Sequence, residues 1–169
     1  GLRLAAEHPD RFARLVVANT GLPNGEQPMA DVWWQFREAI TTLPELNIGA
    51  FVQSGCRQRM SDEVRAGYDA PFPVPESRVG VFRFPELVAT SSSHPSAAAM
   101  LDVRERLRRF EQPALVCFGD SDPIFPRRAA EAMAELLPNA ELAPPVDGAG
   151  HFLQEDRGEV VAERIAAFL

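Results

Sequence analysis

The chain has 169 residues, 46% hydrophobic and 24% charged, the range of a globular domain with a core of its own. Its formal net charge is −7, which excludes a uniformly basic face for nucleic acid. No stretch reaches the ~18 apolar residues of a membrane span and no signal peptide opens the chain; Cys56 and Cys117, without metal spacing, make neither a disulfide scaffold nor a zinc site and read as free thiols of a cytoplasmic protein.

GLRLAAEH already looks like the interior of a helix, with no capping residue before it. A chain that starts mid-helix is expected to be a fragment whose upstream part is missing. His8-Pro9 ends that helix. A short buried strand follows at Leu15–Ala18, closing on Asn19, Thr20 and Gly21. From 22 to 96 the sequence is rich in Pro and Gly, with helical patches. Over Met29–Leu43, Val32, Trp33, Phe36 and Ile40 recur at three- and four-residue steps, and Ser61 caps a second helix with Asp62 and Glu63 in its first turn. APFPVPE (70–76) excludes helix and central strand because its three prolines remove donors, and TSSSHPS (90–96) is a loop.

Alternation of helix and strand then returns. A helix is predicted over Ala98–Phe110, a buried strand over Ala114–Phe118, a helix over Arg127–Leu137, a strand over Ala140–Ala143 and a last helix over Glu159–Leu169. This order predicts an α/β fold with a parallel sheet covered on both faces. Residues 1–21 and 97–169 form the core, and 22–96 form a helical insertion. Three strands make a poor sheet alone, so the first strands of a larger one are expected to be absent.

In open α/β sheets, ligands bind beyond the carboxyl ends of the strands. Asp120 and Asp122 follow one predicted strand, and His151 follows the next, where Gly148 and Gly150 allow a tight turn. Each alone reads as an ordinary turn or structural residue. Together they match the acid and base of a catalytic triad, in which the carboxylate accepts one ring N–H and the other nitrogen moves the proton. An acid followed by a histidine near the chain's end is the order of such hydrolases. No G-x-nucleophile-x-G elbow exists here: Ser54 lacks a preceding glycine and Ser121 is followed two residues on by Pro123. The nucleophile is expected a few residues before Gly1.

GLRLAAEHPDRFARLVVANTGLP, YDAPFP (68–73), FGDSDP and DGAGHFLQED together resemble the haloalkane dehalogenases of the α/β-hydrolase superfamily, over nearly the whole chain and closest to the subfamily acting on 1,2-dichloroethane. The resemblance implies the C-terminal part of an α/β-hydrolase fold carrying an inserted helical cap, with the N-terminal strands and the nucleophile elbow absent. It implies an upstream aspartate that displaces halide and forms an alkyl-enzyme ester, His151 activating water to hydrolyse it, and Asp122, at the G-x-x-D position after Gly119, orienting the histidine. Alcohol and halide are the products, and no metal or organic cofactor is implied. Of the family's two halide-binding tryptophans, the one on the cap corresponds best to Trp34. Trp33 shares the apolar stripe of Phe36 and Ile40 and reads first as core packing. Phe36 and Phe72, with Phe82 and Phe84, would help shape a pocket for a small haloalkane. A complete protein of this kind is expected to be a monomer, and this chain alone to be inactive and prone to association through an exposed strand edge.

Two rivals share the fold. An epoxide hydrolase would present two cap tyrosines, whereas Tyr68 is the only tyrosine. A serine esterase or peptidase would differ at the nucleophile. A third alternative is a non-catalytic truncated chain.

Overall fold

The computed structural model describes residues 1–42 and 46–169. Along the chain run helix α1 (Leu2–Glu7), strand β1 (Leu15–Val17), helices α2 (Asp31–Thr42), α3 (Ile48–Ser54), α4 (Asp62–Asp69), α5 (Val79–Arg83) and α6 (Ala97–Leu107), strand β2 (Ala114–Val116), helix α7 (Arg127–Leu136), strand β3 (Ala140–Leu142) and helix α8 (Leu153–Phe168). Leu43, expected as the last residue of α2, lies outside the described residues.

The three strands form one parallel sheet in the order β1-β2-β3. Leu15 lies opposite Ala114, and Ala114 opposite Ala140. All three strands are shorter than the apolar runs predict, because those runs continue past the ladder into the loops. One further bridge, Gly119 to Val146, carries the pairing of β2 and β3 toward the carboxyl end. Side chains alternate across β2, as the period of two requires. Ala114, Val116 and Phe118 face a core with Leu107 and Met133 of α6 and α7. Leu115 and Cys117 face a second core with Leu153 and Val161 of α8. Both faces are thus covered, which is why β2 reads as a continuous apolar run. Leu107 is fully buried, and its truncation to alanine is worth about 2–5 kcal/mol.

Helices α2 to α5 belong to the insertion and enclose a third core, in which Ile40, Ile48, Val52 and Met60 are buried. Asn47 caps α3 by accepting from the Ala50 N–H at 2.6 Å, and Ser61 caps α4 by accepting from Val64 at 3.2 Å. The proline run does exclude an α-helix, but its end, Pro75, opens a single 3-10 turn to Arg78, a position where a proline's missing N–H is not needed. The chain enters and leaves this insertion, the cap of the expected fold, side by side: Asn24 bridges Ala89.

The last helix differs most from expectation. It begins at Leu153, six residues before Glu159, and is kinked at Arg157 (φ −145°, ψ 40°). HFLQED therefore contains the helix start rather than only leading to it. Glu155 and Asp156 sit in its first turn, where acidic groups favour the helix dipole, and Leu153 anchors it in the core.

Candidate active site

The acid and histidine loops leave adjacent strands and meet beyond their carboxyl ends. Asp122 is buried, and its carboxylate Oδ2 lies 3.0 Å from His151 Nδ1. The other oxygen accepts the Ile124 N–H at 2.7 Å, which fixes the carboxylate's direction. The His151 side chain remains 25% exposed. With Nδ1 bonded to the acid, Nε2 is the nitrogen left to handle a proton. Phe125 and Phe152 flank the ring, with centroids at 5.8 and 5.0 Å. Asp120 has a different task. Its carboxylate accepts the Gly148 N–H at 3.0 Å, and hydrogen bonds from the Ser121 side chain and then from the backbone hold it below the ordinary carboxyl range. Gly148 adopts φ +67° there, a conformation other residues rarely take.

Two residues that sequence reasoning passed over complete the loop geometry. Asn19, read only as the end of a strand, is buried at φ +34°. Its amide N–H₂ donates to the Gly150 and His151 carbonyls at 2.7 and 2.9 Å, and its oxygen accepts from Gly119 N–H at 2.8 Å. One side chain thereby ties together the loops that follow all three strands. The usable signal was an Asn at a strand's carboxyl end, since Asn tolerates the left-handed region. Asp156 is likewise buried; its carboxylate accepts the Gly150 N–H at 2.7 Å. Nothing in HFLQED marked it apart from its neighbour Glu155.

The cap holds an apolar cavity of about 550 Å³ lined by Trp33, Phe36, Phe51, Phe72, Phe84 and Val88. A second, also of about 550 Å³, opens between the loop after β1 and α7, where Trp33 and Val88 face Ile124 and Phe125. Phe125 thus connects the second cavity to the histidine ring. Trp33, Phe36 and Phe72 line one or both of these cavities; Trp34 lines neither. Trp33 is 8% exposed and Trp34 43%. The rings meet edge to face at 4.8 Å, with the Arg37 guanidinium 5.7 and 5.8 Å from their centroids. Phe82 packs in the cap core, and Phe84 is 73% exposed while bordering the cap cavity. Among the described residues no group of three or more His, Cys, Asp or Glu is placed to hold a metal ion, and no helix is long and apolar enough to cross a membrane.

Both cysteines are free thiols. Cys56 lies near the histidine loop, and burial, then the carboxylates of Asp156 and Glu155, push its thiol up to about 11. Tyr68 on α4 donates to Glu155 at 2.5 Å, and burial followed by that contact raises its phenol above the ordinary range.

The comparisons agree with this architecture. The chain is 42% identical over 169 residues to a haloalkane dehalogenase of Mycolicibacterium paratuberculosis, covering 99% of this chain and 56% of that protein. It is 32% identical over 171 residues to a haloalkane dehalogenase of Psychrobacter cryohalolentis, at 100% and 56% coverage. The solved tetrameric haloalkane dehalogenase DpaA of Paraglaciecola agarilytica superposes with a TM-score of 0.87 at 28% identity, over all of this chain and 56% of that one. The chain thus spans little more than half the length of the curated relatives it matches. The α/β-hydrolase fold family matches residues 1–158. With that match over a parallel sheet whose strand ends bring Asp122 to His151, the chain belongs to the α/β-hydrolase fold family.

Proposed function

We propose that this chain is the cap and C-terminal core of a haloalkane dehalogenase, with His151 as general base and Asp122 as its acid partner. The supporting observation is the 3.0 Å contact from a buried carboxylate to His151 Nδ1, beside apolar cavities and alongside the likeness to haloalkane dehalogenases. The nucleophile is an aspartate in a part of the protein outside these residues. Its carboxylate oxygen bonds to the substrate carbon as the carbon–halogen bond breaks, and the halide leaves with the bonding electrons. His151 Nε2 then takes a proton from water while the hydroxide attacks the ester carbonyl. Cleavage releases the alcohol and the aspartate, so haloalkane plus water gives alcohol, halide and a proton. Asp122 holds the tautomer and stabilises the imidazolium.

Trp33, placed against both cavities, is the cap donor to the leaving halide; an indole N–H in a dry pocket stabilises a forming anion. Phe36 and Phe72 bound the space for the alkyl group. The complete protein works as a monomer and in the cytoplasm, the compartment in which two free thiols persist. The test is halide release from 1,2-dibromoethane. The protein expressed from its complete reading frame should release bromide, and the 169-residue chain should not exceed a no-enzyme blank. Release by the chain alone, or a serine at the nucleophile position, would contradict the assignment.

A further inference from the structure

We infer that Asp156 is a positioning residue that locks the cap to the loop of the base, so that the cap loop 55–58 sets where His151 stands. The inference rests on His151 being the base, as proposed above.

The carboxylate of Asp156 is buried and meets main chain on two sides. From the cap, the N–H of Arg57 donates to both of its oxygens at 2.9 Å, and that of Gln58 to one at 2.7 Å. From the histidine loop, the Gly150 N–H donates at 2.7 Å. Among the described residues no basic side chain forms a salt bridge to it. A second bond runs directly between the two loops: the His151 N–H donates to the Gly55 carbonyl at 2.8 Å. With the two bonds from Asn19 to the Gly150 and His151 carbonyls, all the main-chain polar groups of this dipeptide are held. The partners come from the cap, from the loop after β1 and from α8.

The fit is close. A Cβ on Gly150 would meet the Gly55 carbonyl at 2.5 Å, and one on Gly55 would meet the Phe152 ring at 2.7 Å. An amide in place of the carboxylate would turn its N–H₂ toward N–H donors that need an acceptor. The ring of His151 must stay aligned with Asp122, and misplacement of a reacting group by about 1 Å costs on the order of a hundredfold in rate. The lock therefore bears on the step that uses the base, whereas attack by a nucleophile does not pass through it.

The test uses the protein from its complete reading frame and compares Asp156→Asn with Asp156→Glu and with Gly55→Ala, which presses the cap loop against Phe152 and keeps the carboxylate. The first readout is exchange of the His151 Nδ1–H with water by NMR, well below melting. In Asp156→Asn and Gly55→Ala it should be faster by about tenfold or more, as local opening requires, with Asp156→Glu intermediate. The second is rapid-quench kinetics with 1,2-dibromoethane: ester hydrolysis should slow by about tenfold while alkylation changes by less than about threefold. Unchanged Nδ1–H exchange in folded variants, or equal slowing of both steps, would overturn the inference. Should Asp156→Asn fail to fold, Asp156→Glu decides: exchange as slow as in the unaltered protein would overturn the inference. Should no haloalkane be turned over, the function proposed above fails, and the exchange measurement still judges the lock.

Discussion

Successive residues of an α-helix point about 100° apart, so a helix that buries Trp33 in the cap turns Trp34 away. Apolar spacing placed Trp33 on the stripe of Phe36 and Ile40. It could not say that the same face also borders the cavities, because stripe and pocket wall are the same surface seen from two sides. The two tryptophans therefore make opposite predictions. Trp33→Phe should weaken bromide binding by about tenfold or more, the cost of losing a hydrogen bond to a charge; Trp34→Phe should leave it within about twofold. Bromide inhibition of turnover measures both.

Cys56 offers a test by pH. With its thiol pushed to about 11 against an ordinary 9.0, the thiolate at pH 8 is about a hundredfold scarcer than for an unperturbed cysteine, and iodoacetamide labelling should be slower by that order. Labelling should rise as pH approaches 11. The folded thiol binds its proton more tightly than the unfolded one. Its contribution to stability is thus present below pH 9 and lost between 9 and 11.

At the scale of elements, the strands and core helices were legible from apolar runs and their punctuation. His8-Pro9, Ser61 and the proline run act through local backbone chemistry that any fold must obey. The start of α8 was not legible: Gly158 and the kink at Arg157 interrupt the periodicity, and the first turn is set by contacts to the cap nearly a hundred residues earlier. The same long-range dependence hid Asn19 and Asp156, whose partners are main-chain groups of other loops and leave no pattern in sequence. Close approach at the strand ends gives a direct test. A Cβ on Gly119 would meet the Ala149 carbonyl at 2.4 Å, so Gly119→Ala should push the acid loop off the histidine loop. Overpacking of this kind costs about 1–3 kcal/mol, measurable as a lower urea midpoint of the complete protein.

For the whole molecule, three layers come together at one point. The sheet supplies strand ends, α8 fixes the histidine loop, and the helices after β1 help line a cavity that Phe125 connects to the histidine ring. Asp122 and His151 could be paired from sequence because their chemistry and order along the chain are both constrained; the cap's interior could not, since helices of the same spacing can pack in many ways. The most direct measurement of the proposed chemistry is the intact mass of the His151→Gln variant of the complete protein after incubation with 1,2-dibromoethane. Replacing the base should stop ester hydrolysis and leave alkylation intact. The expected result is a stoichiometric gain of one bromoethyl group, under conditions where the unaltered protein gains none and releases bromide. An active unaltered protein whose His151→Gln variant shows no adduct would contradict the role given to His151.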